Sequence, residues 1–84
     1  MKSKVDPQYW RRYNALPPRI QLLARNGYAV WLKDPFYPSL HFKKLKGDSW
    51  SVRVGALYRA AGYFLSSDTF VWMWIGTHEE YNKL

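Results

Sequence analysis

Four side chains in the second half of the chain have the types and spacing for phosphate chemistry: Arg53 in WSVRV, Arg59 in YRAAGYF, and His78 and Tyr81 in GTHEEY. Arg53 and Arg59 flank a short turn signal, Gly55-Ala56-Leu57, so two strands joined there would bring them close on one sheet surface. Two guanidiniums at one spot would hold a phosphodiester and stabilise the extra charge of a phosphorane-like transition state. His78 and Tyr81, three apart, share one side of a helical turn. Histidine moves protons near neutral pH, and tyrosine stacks on a base or supports the transfer. Such a set suffices for metal-independent RNA cleavage, in which the 2′-hydroxyl attacks the neighbouring phosphorus. Ordinary structural roles remain open at this point: the arginines pairing with Asp48 or Asp68, and His78 as a surface residue.

Lys43, Lys44 and Lys46 gather just ahead of the Gly47-Asp48 turn. They suit contact with an anion such as an RNA backbone, or else a solvated strand edge. His41, between Leu40 and Phe42, is expected to serve packing. No metal site is expected, because His41 and His78 lie far apart and neither has acids at ligand spacing. Glu79 and Glu80 are adjacent and cannot share a helix face. The glycines never cluster into a phosphate loop or dinucleotide fingerprint, so no cofactor is expected.

The elements that must position these residues are legible in outline. Trp50–Ile75 holds three runs rich in Val, aromatic and small apolar residues, separated by Gly55-Ala56-Leu57 and Ser66-Ser67-Asp68-Thr69, which predicts an antiparallel three-stranded meander. Trp50, Val52 and Val54 fall on one face of the first run, Ser51 and Arg53 on the other. The run from Phe70 to Ile75 has no polar face, which predicts a central strand covered on both sides. Upstream, Asp6-Pro7 is a helix start, followed by a stripe of Tyr9, Trp10, Tyr13 and Leu16. Pro17-Pro18 ends that helix and opens a second, read as continuous to about Leu32 despite Gly27 because Trp31 extends its apolar stripe. Lys2–Val5 is read as an optional strand, and FYPSLHF as an extended connector. Thr77 is placed to cap a short terminal helix with both glutamates in its first turn. Two helices followed by a meander predict one α+β domain of two layers over residues 1–84.

Composition narrows the class. With 84 residues and no cysteine, the core must rest on aromatics, which make up 19% of the chain. The net charge is +7, and it is uneven: up to Leu65 twelve Lys/Arg face three acids, whereas from Ser66 onward one Lys faces three. A basic body implies an anionic partner, nucleic acid or an acidic protein segment. Lack of cysteine fits a reducing cytosol, and MKSKVDPQYW has no apolar run of a secretory signal. The expectation is a cytoplasmic protein with no membrane partner.

The order helix–helix–meander, with FKKLKG, WSVRV, YRAAGYF and FVWMWIGTHEEYNKL, resembles the RelE/ParE superfamily of toxins from bacterial toxin–antitoxin pairs. The likeness covers nearly the whole chain, and YRA, the aromatic last strand and G-T-H-x-x-Y carry it best. It implies two N-terminal helices packed on an antiparallel sheet. RelE-like members cut mRNA without metal, usually in the ribosomal A site, using basic strand residues and a C-terminal acid/base or aromatic group. On that pattern Arg59 matches the transition-state arginine, Arg53 a basic position of the preceding strand, and Tyr81 the C-terminal tyrosine. His78 stands where many members carry arginine or histidine, and Ser51 where some have a second lysine. ParE-like members share the fold but poison DNA gyrase and lack the nuclease set. Both branches are neutralised by a cognate antitoxin, often an acidic, partly disordered segment, which would suit the positive charge.

Overall fold

The computed structural model describes residues 1–45 and 47–83. A strand β1 (Lys2–Val5) leads into helices α1 (Pro7–Asn14) and α2 (Pro18–Lys33). Strands β2 (Lys43–Lys44), β3 (Ser49–Val54), β4 (Tyr58–Ser66) and β5 (Thr69–Thr77) follow, then a single helical turn α3 (His78–Tyr81). The five strands form one sheet in the order β1-β5-β4-β3-β2. Lys46, grouped above with the other two lysines, lies outside the described residues.

The helix signals act as expected. The Asp6 carboxylate accepts from the Gln8 N–H, with Pro7 at the first helical position. Helix α2 runs unbroken through Gly27 to Lys33, because Ile20, Ala24 and Trp31 recur on one side and are buried against the sheet. Trp31, 1% exposed, stands at the middle of an aromatic core, with Phe42, Phe70 and Trp72 centroids within 5.2 to 5.9 Å. Trp10 departs from its stripe and remains exposed. It borders a cavity of about 470 Å³ between the helices and the sheet. Tyr9 borders the same cavity, and burial, with Tyr13 and Tyr28 adding, pushes its phenol up to about 12.

Two helices on a mostly antiparallel sheet are as expected, with one refinement at the sheet edge and two corrections at the connector. The sheet is not wholly antiparallel, since β1 pairs parallel with β5 (Ser3 with Phe70, Val5 with Trp72) and extends it on the far side from β4. A parallel partner at that edge lets the chain leave β1 directly into α1 over the helix face. The connector is not simply extended either: Pro38–Leu40 form a 3-10 turn closed by His41 in the left-handed region (φ 48°). His41 is exposed, so the flanking Leu40 and Phe42 do the packing and the histidine takes the bend.

Strand β5 is internal, as its unbroken apolar run predicts, but it is not covered by a layer on both sides: the helices take one face, and Met73 and Trp74 stay partly exposed. The strand's pairing with β4 shifts register twice, once between Phe64 and Ser66 and once where Ala61 faces Trp74 while Gly62 faces Trp72, which leaves Met73 unpaired in a bulge. Phe70, Trp72 and Ile75 thereby all enter the helix-side core. No helix of the described residues is long and apolar enough to cross a membrane.

The two glycines at these positions predict opposite outcomes. A Cβ at Gly62 would meet the Val71 carbonyl oxygen at 2.1 Å and the Phe70 ring at 2.6 Å. A Cβ at Gly27 would meet nothing nearer than Leu40 at 4.0 Å. In urea unfolding, Gly62→Ala should lose about 2 kcal/mol or more, whereas Gly27→Ala should gain ~0.5–1 kcal/mol. Equal effects would contradict the packing described.

Candidate functional site

With α1 and α2 covering one face of the sheet, the chemistry-bearing residues collect on the other. In the β3–β4 register Arg53 faces Arg59, and Ser51 faces Ala61. Paired residues of an antiparallel sheet project to the same side, so Ser51, Arg53 and Arg59 share this open face. The hairpin predicted from Gly55-Ala56-Leu57 is what aligns the arginines. Gly55 supplies the positive φ of the turn (61°).

Helix α3 folds onto the end of this face, held there by a capping box, a backbone bond and the side chain of Arg12. Thr77 and Glu80 form a reciprocal capping box: the Glu80 N–H donates to Thr77 Oγ1 at 3.1 Å and the Thr77 N–H to Glu80 Oε1 at 2.9 Å. The His78 N–H donates to the Leu57 carbonyl at 2.7 Å, tying α3 to the β3–β4 turn. Arg12, from α1, donates through Nε to the Ile75 carbonyl at 2.7 Å and through Nη2 to Glu80 at 2.9 Å. Its guanidinium also lies over the Trp74 ring, 4.9 Å from the centroid. Gly76 permits this crowding, since a Cβ there would meet Arg12 Nη2 at 2.7 Å.

The result is a connected cluster. Arg59 Nε donates to His78 Nδ1 at 3.1 Å, and the Arg59 guanidinium lies over the Tyr81 ring at 5.2 Å. His78 and Tyr81 stack at 5.9 Å. The Tyr81 hydroxyl lies 3.1 Å from Ser51 Oγ, and Ser51 is 0% exposed. Because Nδ1 accepts, the neutral imidazole carries its proton on Nε2. Arg59 Nη1 is buried with no hydrogen-bond partner among the described residues. Of the described residues only Arg12 and Glu80 form an ion pair. Neither strand arginine pairs with Asp48 or Asp68, and Asp68 instead accepts from Ser66 and Thr69. Those hydroxyls hold the Asp68 carboxyl below the usual carboxylate range.

Not every expected residue joins the cluster. Arg53 is exposed and donates through Nε to the Gly55 carbonyl at 3.1 Å, bonding to no cluster member. Lys43 pairs with Ser51 and so lies on the open face, whereas Lys44 pairs with Trp50 and lies on the other. Four contributors escaped sequence reasoning. Ser51, at a position where some members of the family have a second lysine, supports Tyr81. Lys2 and Lys4 reach the open face through the parallel pairing with Thr69 and Val71. Arg12 is remote in sequence and carried no signal, whereas the T-x-x-E of Thr77–Glu80 could have shown the capping box. Among the described residues no three His, Cys, Asp or Glu side chains come together to hold a metal ion.

The Glu80 carboxyl is held below the usual glutamate range, first by the Thr77 N–H, then by Arg12 and the Thr77 hydroxyl. A carboxyl lowered on folding contributes stability above its unfolded range and loses it as the pH falls through the folded value. Thermal unfolding should therefore be flat near neutrality and weaken on acidification through the carboxylate range. Glu80→Gln should show a shallower acid slope, and an unchanged slope would remove Glu80 from the anchor.

The family described as ParE-like toxin domain matches residues 18–83. No curated protein sequence matches the chain. Among solved structures the chain is similar to the YoeB/ParE toxin from Agrobacterium tumefaciens, with 20% identity, 93% of this chain and 99% of that one covered, and a TM-score of 0.72. It is also similar to the RelB-RelE antitoxin-toxin complex from Methanococcus jannaschii, with 16% identity, 95% of each chain covered and a TM-score of 0.75. The toxin-antitoxin complex RelBE2 from Mycobacterium tuberculosis gives 21% identity, coverage of 92% and 96%, and a TM-score of 0.67. At these identities the structural neighbours speak for the fold. With the family match over most of its length, the chain belongs to the ParE-like toxin domains of the RelE/ParE superfamily.

Proposed function

We propose that this toxin is a metal-independent endoribonuclease that cuts mRNA on the ribosome, with its catalytic group at Arg59, His78 and Tyr81. The observation that carries the reading is the Arg59 Nε–His78 Nδ1 hydrogen bond, made on an open sheet face where neither residue meets an acid. An arginine held for structure would be expected to have a carboxylate; this one has an imidazole, a stacked phenol and a free nitrogen.

The arrangement suggests how phosphate binding and proton transfer are coupled. A phosphodiester on the open face draws the Arg59 guanidinium toward its oxygens. That movement uncovers His78 Nδ1, which takes the proton of the 2′-hydroxyl. The 2′-oxygen bonds to phosphorus, the bond from phosphorus to the 5′-oxygen breaks, and the leaving oxygen takes a proton from solvent at this exposed end. Arg53, exposed and tied by one bond to backbone, follows the phosphate, and Tyr81 stacks on a base. Lys43, Lys2 and Lys4 hold the RNA backbone along the same face. Lys44, on the opposite face, takes no part in it. An acidic antitoxin segment is the protein partner that the net charge of +7 favours, and two of the structural neighbours are complexes with antitoxins.

A second reading, gyrase inhibition, is favoured by the ParE-like name of the matching family. In it the cluster only fixes α3. Primer extension on a reporter mRNA in a translation extract separates the two. The nuclease reading expects new 5′ ends inside the reading frame, reduced about 10²–10³-fold by Arg59→Ala and not restored by Arg59→Lys, which cannot cap His78 and stack on Tyr81 together. An intact message together with inhibited supercoiling would establish the gyrase reading instead.

A further inference from the structure

Beside the cluster, on the same open face, lies a concavity of about 670 Å³ to which neither the cluster nor the family match gives a role. Ala61 and Gly62 form its floor, Leu45, Tyr63 and Met73 border it, and Tyr81 and Asn82 stand at its rim. It exists because Ala61, the β4 residue that faces this side, is small and because the bulge turns Met73 out of the ladder toward it. The lining is mostly apolar and aromatic, which suits the flat face of a nucleobase. Tyr81 belongs to both sites, so whatever fills the concavity is a direct neighbour of a phosphate held at Arg59.

The rim carries a group able to read a base edge. Asn82 is the C-cap of α3, and its main-chain N–H donates to the His78 carbonyl at 3.0 Å, which fixes its backbone. Its side chain is exposed and makes no hydrogen bond among the described residues. An amide offers one acceptor beside two donors, the complement of the N6 donor and N7 acceptor of adenine. We infer that the concavity between Tyr63, Met73 and Tyr81 receives the base adjoining the scissile phosphate, and that Asn82 reads it with a preference for adenine. The inference rests on the nuclease reading above.

The test is to map cut sites by sequencing 5′ ends across many messages in the same translation extract, with wild type, Asn82→Ala and Asn82→Asp. Wild type should favour adenine at one position beside the cut by about tenfold or more, the discrimination a bidentate contact gives. Asn82→Ala should keep cutting and lose that preference. Asn82→Asp, an acceptor only, should shift it toward cytosine, whose N4 donates. Identical base profiles in wild type and Asn82→Ala would overturn the inference and leave the nuclease reading standing. Loss of all cutting in a folded Asn82→Ala would also overturn it, by making Asn82 part of the cutting machinery. A wild type that cuts nothing would overturn the nuclease reading, and this inference with it.

Discussion

The two faces of the sheet are set by one unpaired residue, Met73, in the strand that carries most of the core. A regular strand alternates sides residue by residue, so Phe70 and Trp72 could not share a face with Ile75. The bulge absorbs one residue between them and sends all three under the helices, where Phe70 and Ile75 are fully buried. The same extra residue leaves both Met73 and Trp74 on the open face. Trp74 then becomes the surface on which Arg12 lies, 4.9 Å away, and Met73 a wall of the neighbouring concavity. Core and site thus depend on one local departure from pairing, which is where bulges commonly act.

What the bulge prepares, Arg12 completes. Strand β1 pairs with β5 only as far as Trp72, so the rest of that edge offers unpaired backbone. The Arg12 guanidinium closes it at the Ile75 carbonyl and reaches Glu80 at 2.9 Å, so helix α1 grips α3 across the sheet edge. An exposed ion pair alone contributes little, but here it works with a capping box and a backbone bond from His78 to Leu57. Together they fix a four-residue helix that would not persist unaided. His78 and Tyr81 therefore meet Arg59 as a prearranged group. Of the C-terminal acids, Glu80 serves this anchoring and Asp68 is engaged by Ser66 and Thr69, so neither opposes the arginines of the open face.

Much of this was legible in sequence because it rests on local rules. Asp6-Pro7 and Thr77 announced their helices through capping chemistry, and the Gly55 turn fixed the register that sets Arg53 against Arg59. Trp31 rightly outweighed Gly27, since one buried indole contributes more than a helical glycine costs. The rest depends on contacts that no local pattern encodes. Nothing within β5 marks Met73 as the bulged residue, because every neighbour is apolar. Arg12 reads as a solvent-facing helix arginine until the free edge of β5 is known. The parallel pairing of β1 puts Lys2 and Lys4 on the open face, a long-range placement invisible in a four-residue strand. Ser51 shows the limit of motif matching: it fills a position where relatives have lysine, yet here it is buried against the Tyr81 hydroxyl.

On the nuclease reading we propose, this open face carries out transesterification by the RNA's own 2′-hydroxyl, with Arg59 and His78 as its agents. That reading is tested most directly by single-turnover cleavage on ribosomes programmed with a defined message, with and without one 2′-deoxynucleotide at the cut. The account predicts that the deoxy substitution abolishes cleavage at that site alone, and that the ordinary message yields a 2′,3′-cyclic phosphate end. Cleavage that continues through the deoxynucleotide would contradict it, because the nucleophile would then have to come from elsewhere.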